Sequence, residues 1–267
     1  MWHRGATSSA PVTRCSPRRH RDAWWASGAP VRASARPRLG RSASRCRSTR
    51  CGATGRAATR RYGRAVSASP DDTPALPRWA PVPAVLAPVA MVGGWLAAAA
   101  LQPSFDPVRE TISALAATTA TAPWVMTTGL VVTGVAHVAT ALALRPLPRA
   151  ARALHALGGV ATAVVGALPV DAAPRPHGLA AGVAFVALAV WPAAAVRPGG
   201  RGPLAPRVGA VAAVVLVGLL VWFVVELQAL VPGAGDLVGL SERAVAGAQA
   251  LWPLVAVVLL RAGRRGP

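Results

Sequence analysis

From residue 80 onward the chain breaks into six apolar stretches separated by short loops, and no other feature constrains its fold as strongly. Each stretch is close to the length needed to cross about 30 Å of hydrocarbon as a helix. Backbone N–H and C=O groups placed in lipid must be satisfied within the chain, and for segments of this length the helix does so. The spans read as 81–101, 123–144, 150–170, 177–196, 208–231 and 243–260. The expected fold class is therefore all-α: a polytopic bundle of six transmembrane helices over 80–267, with no soluble domain.

Residues 1–79 are of another kind and hold 17 of the 29 arginines. This Arg-rich arm is Ser- and Pro-rich, as in Ser16-Pro-Arg-Arg-His-Arg, and has no apolar periodicity. Too little apolar surface is present to offset the entropy of ordering it, so the arm is expected to be disordered. It fits three readings: a contact with anionic lipid or nucleic acid, an organellar transit peptide, or a tail without function, of the kind left by translation upstream of a start near Val66. The third is preferred, and no specific nucleic-acid partner is expected. Arg18-Arg19 lacks the apolar core that would make it a twin-arginine signal, and a secretory signal is excluded on the same ground. Cys15, Cys46 and Cys51 lack the paired spacing of a zinc site, and the region after residue 79 has no cysteine to form a disulfide. Lysine is absent throughout, an Arg/Ala/Gly/Pro bias that a GC-rich coding sequence would produce.

Arginines in the loops alternate by side. Arg145, Arg149 and Arg152, then Arg197, Arg201 and Arg207, then Arg261, Arg264 and Arg265 fall on one flank; Arg109, Arg175 and Arg243 fall on the other. By the positive-inside rule both termini are expected in the cytoplasm of a cell-membrane protein. The acids sort oppositely: Asp106, Glu110, Asp171, Asp236 and Glu242 all lie in or beside outer loops.

The first outer loop has structure of its own. Asp106 is placed to cap a short helix starting at Pro107, with Val108, Ile112 and Leu115 on one face. Such an amphipathic segment rests at the outer interface or folds over the bundle. Ser241 with Glu242 suggests a capped start for the sixth span. Gly158, Thr162 and Gly166 on span 3, and Gly178-Leu-Ala-Ala-Gly182 on span 4, are small-residue patterns that permit close helix approach. The loop 171–176 makes spans 3 and 4 an antiparallel hairpin.

Glu226 is the acid inside a span, and an ionisable group there needs a partner or water. Arg243, Arg109 and His177 are its candidate partners. Asp171 and His177 bracket the hairpin loop and are expected to face each other across it. Asp171, His177 and Glu226 are accordingly the candidate catalytic or metal-binding residues, as an acid–base pair or a divalent-metal site. Asp106, Arg109, Glu110, Glu242 and Arg243 form an outer polar cluster of structural or functional use. Convergence of Asp171, His177 and Glu226 on one cleft would favour chemistry, and splaying to solvent a structural role. His137 and His155 read as hydrogen-bonding groups between helices. No phosphate-cradling loop or nucleophile elbow is present, and no cofactor is expected.

The series Asp106…Arg109-Glu-Thr-Ile-Ser-Ala-Leu, Trp124-Val-Met, Leu168-Pro-Val-Asp171…His177-Gly and Gly239-Leu-Ser-Glu-Arg243 near Trp252 resembles the prokaryotic six-helix membrane family catalogued as domain of unknown function 998. The likeness covers about residues 83–260. That family carries an acid after its loop-1 serine, whereas Ser113 here precedes Ala114. The resemblance implies the architecture, draws attention to Asp171, His177, Glu242 and Arg243, and implies no reaction.

The resulting expectation is a non-enzymatic, multi-pass membrane protein whose partners are membrane lipids and further copies of itself, handling a lipid or small solute or acting as a scaffold. The alternatives are an intramembrane hydrolase or lipid-modifying enzyme with its site at the outer face, and a small transporter in which Glu226 carries a coupled proton.

Overall fold

The structure, a computed structural model, describes residues 75–263. Expectations for the arm before residue 75, including its disorder and its three cysteines, lie outside the described residues. The six spans are present as α1 (Pro81–Ala100), α2 (Trp124–Ala143), α3 (Arg149–Ala167), α4 (Pro174–Ala194), α5 (Pro206–Leu227) and α6 (Val238–Ala262). All six are long and apolar enough to cross a membrane. No strand occurs among the described residues.

Proline opens α1, α4 and α5, where its missing N–H would have had no helical partner in any case. Consecutive helices pack on one another, and α1 against α6 closes the ring. Arg261 fastens that closure by donating from Nη2 to the Arg78 carbonyl at 2.8 Å. The end of the bundle carrying the α2–α3 and α4–α5 loops holds most of the loop arginines and is called here the arginine end. The opposite end carries the α1–α2, α3–α4 and α5–α6 loops and is called the acidic end.

The core has two apolar parts. Leu144, Leu147, Ala151, Leu188 and Trp191 pack at the arginine end. Met91, Ile112, Leu115, Met126 and Leu130 pack toward the acidic end. Large apolar side chains such as Val82, Val135, Leu179 and Val214 point away from the bundle, as lipid contact requires.

Glycine sets how closely the helices approach. A Cβ on Gly134 would lie 2.5 Å from the Gly159 carbonyl oxygen, so α2 and α3 touch backbone to backbone. Gly158 meets Leu188 of α4, and Gly166 meets α2, so the small residues of α3 serve two neighbours. Gly178 and Gly182 behave otherwise. Nothing lies within 4 Å of a Cβ at either position, and this pair borders open space instead of a packed helix. The close approach expected there is not made.

Two boundaries move in a way that matters. Helix α5 ends at Leu227 and not at 231, and α6 begins at Val238 and not at 243. Gly233 and Gly235 adopt φ of 83° and 109°, which lets a compact turn end the loop early. Ser241 therefore sits inside the first turn of α6, bonding the Val238 carbonyl, and does not cap it. Glu242 is drawn from the loop edge into the buried part of the helix.

Adding a methyl at Gly134 should cost about 1–3 kcal/mol through backbone overpacking. Gly182→Ala should be nearly neutral. Thermal unfolding of the detergent-solubilised protein checks both, and equal losses would contradict this account of the α2–α3 contact.

Candidate functional site

The α1–α2 loop is not spread on the surface but folded into the acidic end. The expected amphipathic helix is realised in two pieces. Asp106 Oδ1 accepts the Val108 N–H at 2.9 Å and so caps a single turn, and Glu110 Oε1 accepts the Asp106 N–H at 2.7 Å. A 3₁₀ turn follows over Ser113–Ala116. Ile112 and Leu115 are buried as expected, whereas Val108 remains exposed.

This loop docks on the first turns of α6. The Leu240 N–H donates to the Val108 carbonyl at 3.0 Å, satisfying one of the free donors at the start of α6. Arg243 Nη1 donates to the carbonyls of Glu110 and Gly239, both at 2.8 Å, and its guanidinium lies 5.3 Å from the Phe105 ring centre. Arg109 stays outside, paired with Asp236 at 3.4 Å and Asp106 at 3.9 Å. Both are exposed pairs of small energetic weight.

Beneath the loop lies a chain of polar contacts in which Glu242 and His177 are buried and Ser113 half-buried. Glu242 Oε2 accepts the Ile112 N–H in a short hydrogen bond, and Oε1 lies 3.4 Å from the Ser113 hydroxyl. Ser113 Oγ is 3.0 Å from His177 Nε2, and His177 Nδ1 is 2.7 Å from the Leu168 carbonyl oxygen. Four segments, α3's end, α4, the α1–α2 loop and α6, thus meet in one relay.

Proton positions follow from what each group can do. A carbonyl only accepts, so His177 Nδ1 carries a proton and donates it to Leu168. In one state Nε2–H donates to Ser113, whose hydroxyl donates to the Glu242 carboxylate. In the other, protonated Glu242 donates to Ser113, whose hydroxyl donates to Nε2. Both arrangements fit the same heavy-atom positions.

Asp171, His177 and Glu226 each take different partners. Asp171 is exposed and accepts from the Thr118 hydroxyl at 2.6 Å and from the N–H groups of Thr118, Thr119 and Ala172. It joins the α3–α4 loop to the α1–α2 loop and does not face His177 across the hairpin as expected. The Thr118 hydroxyl first, then the backbone donors, hold its carboxyl down at about 2.

Glu226 is not partnered by Arg243, Arg109 or His177. It accepts the N–H groups of Gly235 at 2.8 Å and Leu237 at 3.1 Å, and Trp222 Nε1 at 3.3 Å. The Gly-rich turn leaves those two backbone donors free directly above the end of α5, nearer than any cation. Among the described residues, no group of three or more His, Cys, Asp or Glu side chains is placed to hold a metal ion.

A cleft of about 340 Å³ opens beside the relay, between α4 and α5. Ala181, Gly182 and Phe185 of α4 and Leu220, Phe223 and Leu227 of α5 give it apolar walls. Phe185 and Phe223, with ring centres 5.3 Å apart, meet across it. Thr111, Ser113, His177 and Glu242 supply the polar groups. Gly182, Val186 and Val224 at its rim are exposed on the lipid-facing surface. Of Asp171, His177 and Glu226, His177 alone lines this cleft.

Ser113 is a site residue that the sequence pattern does not mark. It stands in the quoted Thr-Ile-Ser run, but helical phase turned it away from the apolar face. In the 3₁₀ turn its hydroxyl meets His177 and Glu242. His137 and His155 do link helices as expected, with Nδ1 and Nε2 3.0 Å apart between α2 and α3.

A family model described as "Protein of unknown function (DUF998)" matches residues 85–259, and the chain belongs to that family. No curated protein and no solved structure matches the chain.

Because the folded-state value of Asp171 is depressed, its stabilising effect is present above the ordinary 3.8 and lost as pH falls through about 2. Wild type should therefore melt above Asp171→Asn at neutral pH, with the gap closing across that acidic window. A gap independent of pH would show that the carboxylate is not the stabilising group.

Proposed function

We propose that this DUF998 member is a non-enzymatic protein of the cell membrane that binds a single-chain amphiphile taken laterally from the bilayer. The chain of the ligand occupies the α4–α5 cleft, and its head hydrogen-bonds to Ser113, His177 and Glu242. The observation carrying this reading is the distribution of polarity in the cleft: apolar walls facing lipid, with the polar groups gathered at the acidic end. A lipid tail needs no dehydration to enter such a space, so recognition rests on the head.

The head is a hydroxyl or an amine. The Glu242 carboxylate disfavours a phosphate or carboxylate beside it, whereas a donor head satisfies the carboxylate and the serine oxygen together. Ser113 with His177 is also a nucleophile–base contact in form. Acyl transfer further requires donors for the oxyanion. Three of the neighbouring N–H groups are committed: Ile112 to Glu242, Ala114 to the Thr111 hydroxyl and Leu115 to the Ile112 carbonyl. Binding is the reading this geometry favours.

The arginine distribution supports an acidic end that faces outward and termini in the cytoplasm. In a variant with Cys15, Cys46 and Cys51 replaced by Ser, a cysteine at Ala172 should react with an impermeant maleimide on intact cells. One at Gly200 should react after lysis alone. The reverse pattern would overturn the sidedness.

The cleft is tested with a long-chain amine bearing a photoreactive group near its tail. Crosslinks should concentrate on α4 and α5, and Gly182→Trp should reduce them by about tenfold, the equivalent of 1.4 kcal/mol. Labelling spread evenly over all lipid-facing helices, or unchanged by Gly182→Trp, would end this proposal.

A further inference from the structure

Behind the cleft, toward the middle of the bundle, lies a second and smaller cavity of about 40 Å³. Its polar lining comes from Ser113, His137, Thr162, Glu242 and Gln249. One water needs roughly 10–15 Å³ of such space and two to four polar partners, so two or three waters fit. Ser113 and Glu242 border both cavities, and His137 borders this one alone.

His137 leads onward. Its Nδ1 is 3.0 Å from His155 Nε2, so one proton lies between the rings. The remaining nitrogen of His137, Nε2, is the atom available to the cavity. An imidazole that accepts a proton on Nε2 can release one from Nδ1 and so pass charge along the pair. His155 lies flat on Trp191, with ring centres 4.6 Å apart and planes 7° from parallel. Its own Nδ1 is buried and has no hydrogen-bond partner. Leu144, Leu147 and Ala151 close the core toward the arginine end.

Few other ionisable groups face the pair. Helix α1 has none, and α6 contributes Glu242. Arg152 of α3 turns to the carbonyls of Ala141 and Leu142. Helix α4 offers Trp191 there, its Arg175 and His177 standing at the acidic end. By residue count Glu242 lies about 6 Å inside α6, and His155 about 9 Å inside α3 from the opposite end. The intervening core is the part of the membrane a proton could not cross unaided.

We propose that this core is a transmembrane proton relay. His177, Ser113 and Glu242 exchange a proton with the acidic end, waters in the small cavity carry it to His137, and His155 delivers it toward the arginine end when the Leu144–Leu147 closure opens. The relay does not depend on the nature of the amphiphile.

The test reconstitutes the full-length protein in liposomes with an entrapped pH dye and imposes a potassium-diffusion potential. Wild type should pass protons well above empty liposomes, and more slowly in deuterium oxide. Glu242→Gln and His137→Gln should each lower the flux on the order of a hundredfold, as expected for removing a positioned proton-transfer group. Asp171→Asn should leave the flux unchanged. Wild-type flux equal to that of empty liposomes overturns the relay, as does full flux in His137→Gln. His137→Gln should still crosslink the long-chain amine, so failure of the relay and failure of the cleft proposal are separately visible. If His137→Gln does not assemble, His155→Gln and the deuterium effect on wild type decide the matter by the same criteria.

Discussion

A carboxylate set among lipid-facing helices must be met by donors from the protein itself, and Glu242 imposes that requirement on the whole acidic end. The Ile112 N–H and the Ser113 hydroxyl meet it, which means the α1–α2 loop has to enter the bundle. The other contacts of the loop follow from that position. Val108 receives the free N–H of Leu240, Glu110 receives Arg243, and Asp171 holds the far end of the loop through Thr118 and Thr119. Loss of Glu242 would leave buried donors unpaired and remove the reason for the loop to fold inward.

Helix spacing then decides what space is left. Backbone contact at Gly134 and Gly159 draws α2 against α3, and Gly158 admits Leu188 of α4. Helices α4 and α5 have no such contact near Gly178 and Gly182, and the cleft occurs there. The same glycine chemistry thus produces a tight half and an open half. The polar relay lies where the two meet, bordering the lipid-facing cleft on one side and the small inner cavity on the other.

Much of the architecture was legible in the sequence. Six apolar runs of bilayer length dictated six helices, since lipid offers backbone groups no other partners. Side chains pairing across helices were less legible. His137 and His155 were read as interhelical groups because an imidazole in an apolar span needs a partner on a neighbour. Cations are the expected partners of Glu226, yet backbone N–H groups of a glycine turn lie nearer. Gly178 and Gly182 matched a packing pattern and line open space, because a spacing motif specifies a smooth helix face and not what lies against it. Ser113 is not legible because α-helical periodicity turns it from the apolar face, whereas the chain forms a tighter 3₁₀ turn there.

The sequence by itself determined membership of the membrane class, the number of crossings and the sorting of arginines and acids to opposite ends, since these depend on length, hydropathy and charge along the chain. Only the tertiary structure decided that Ser113, His177 and Glu242 form one relay, that Asp171 and Glu226 serve their own loops, and that a cleft separates α4 from α5. Those outcomes depend on which donor is nearest in space. Residues 129 positions apart, as Ser113 and Glu242 are, carry no local signal of their meeting.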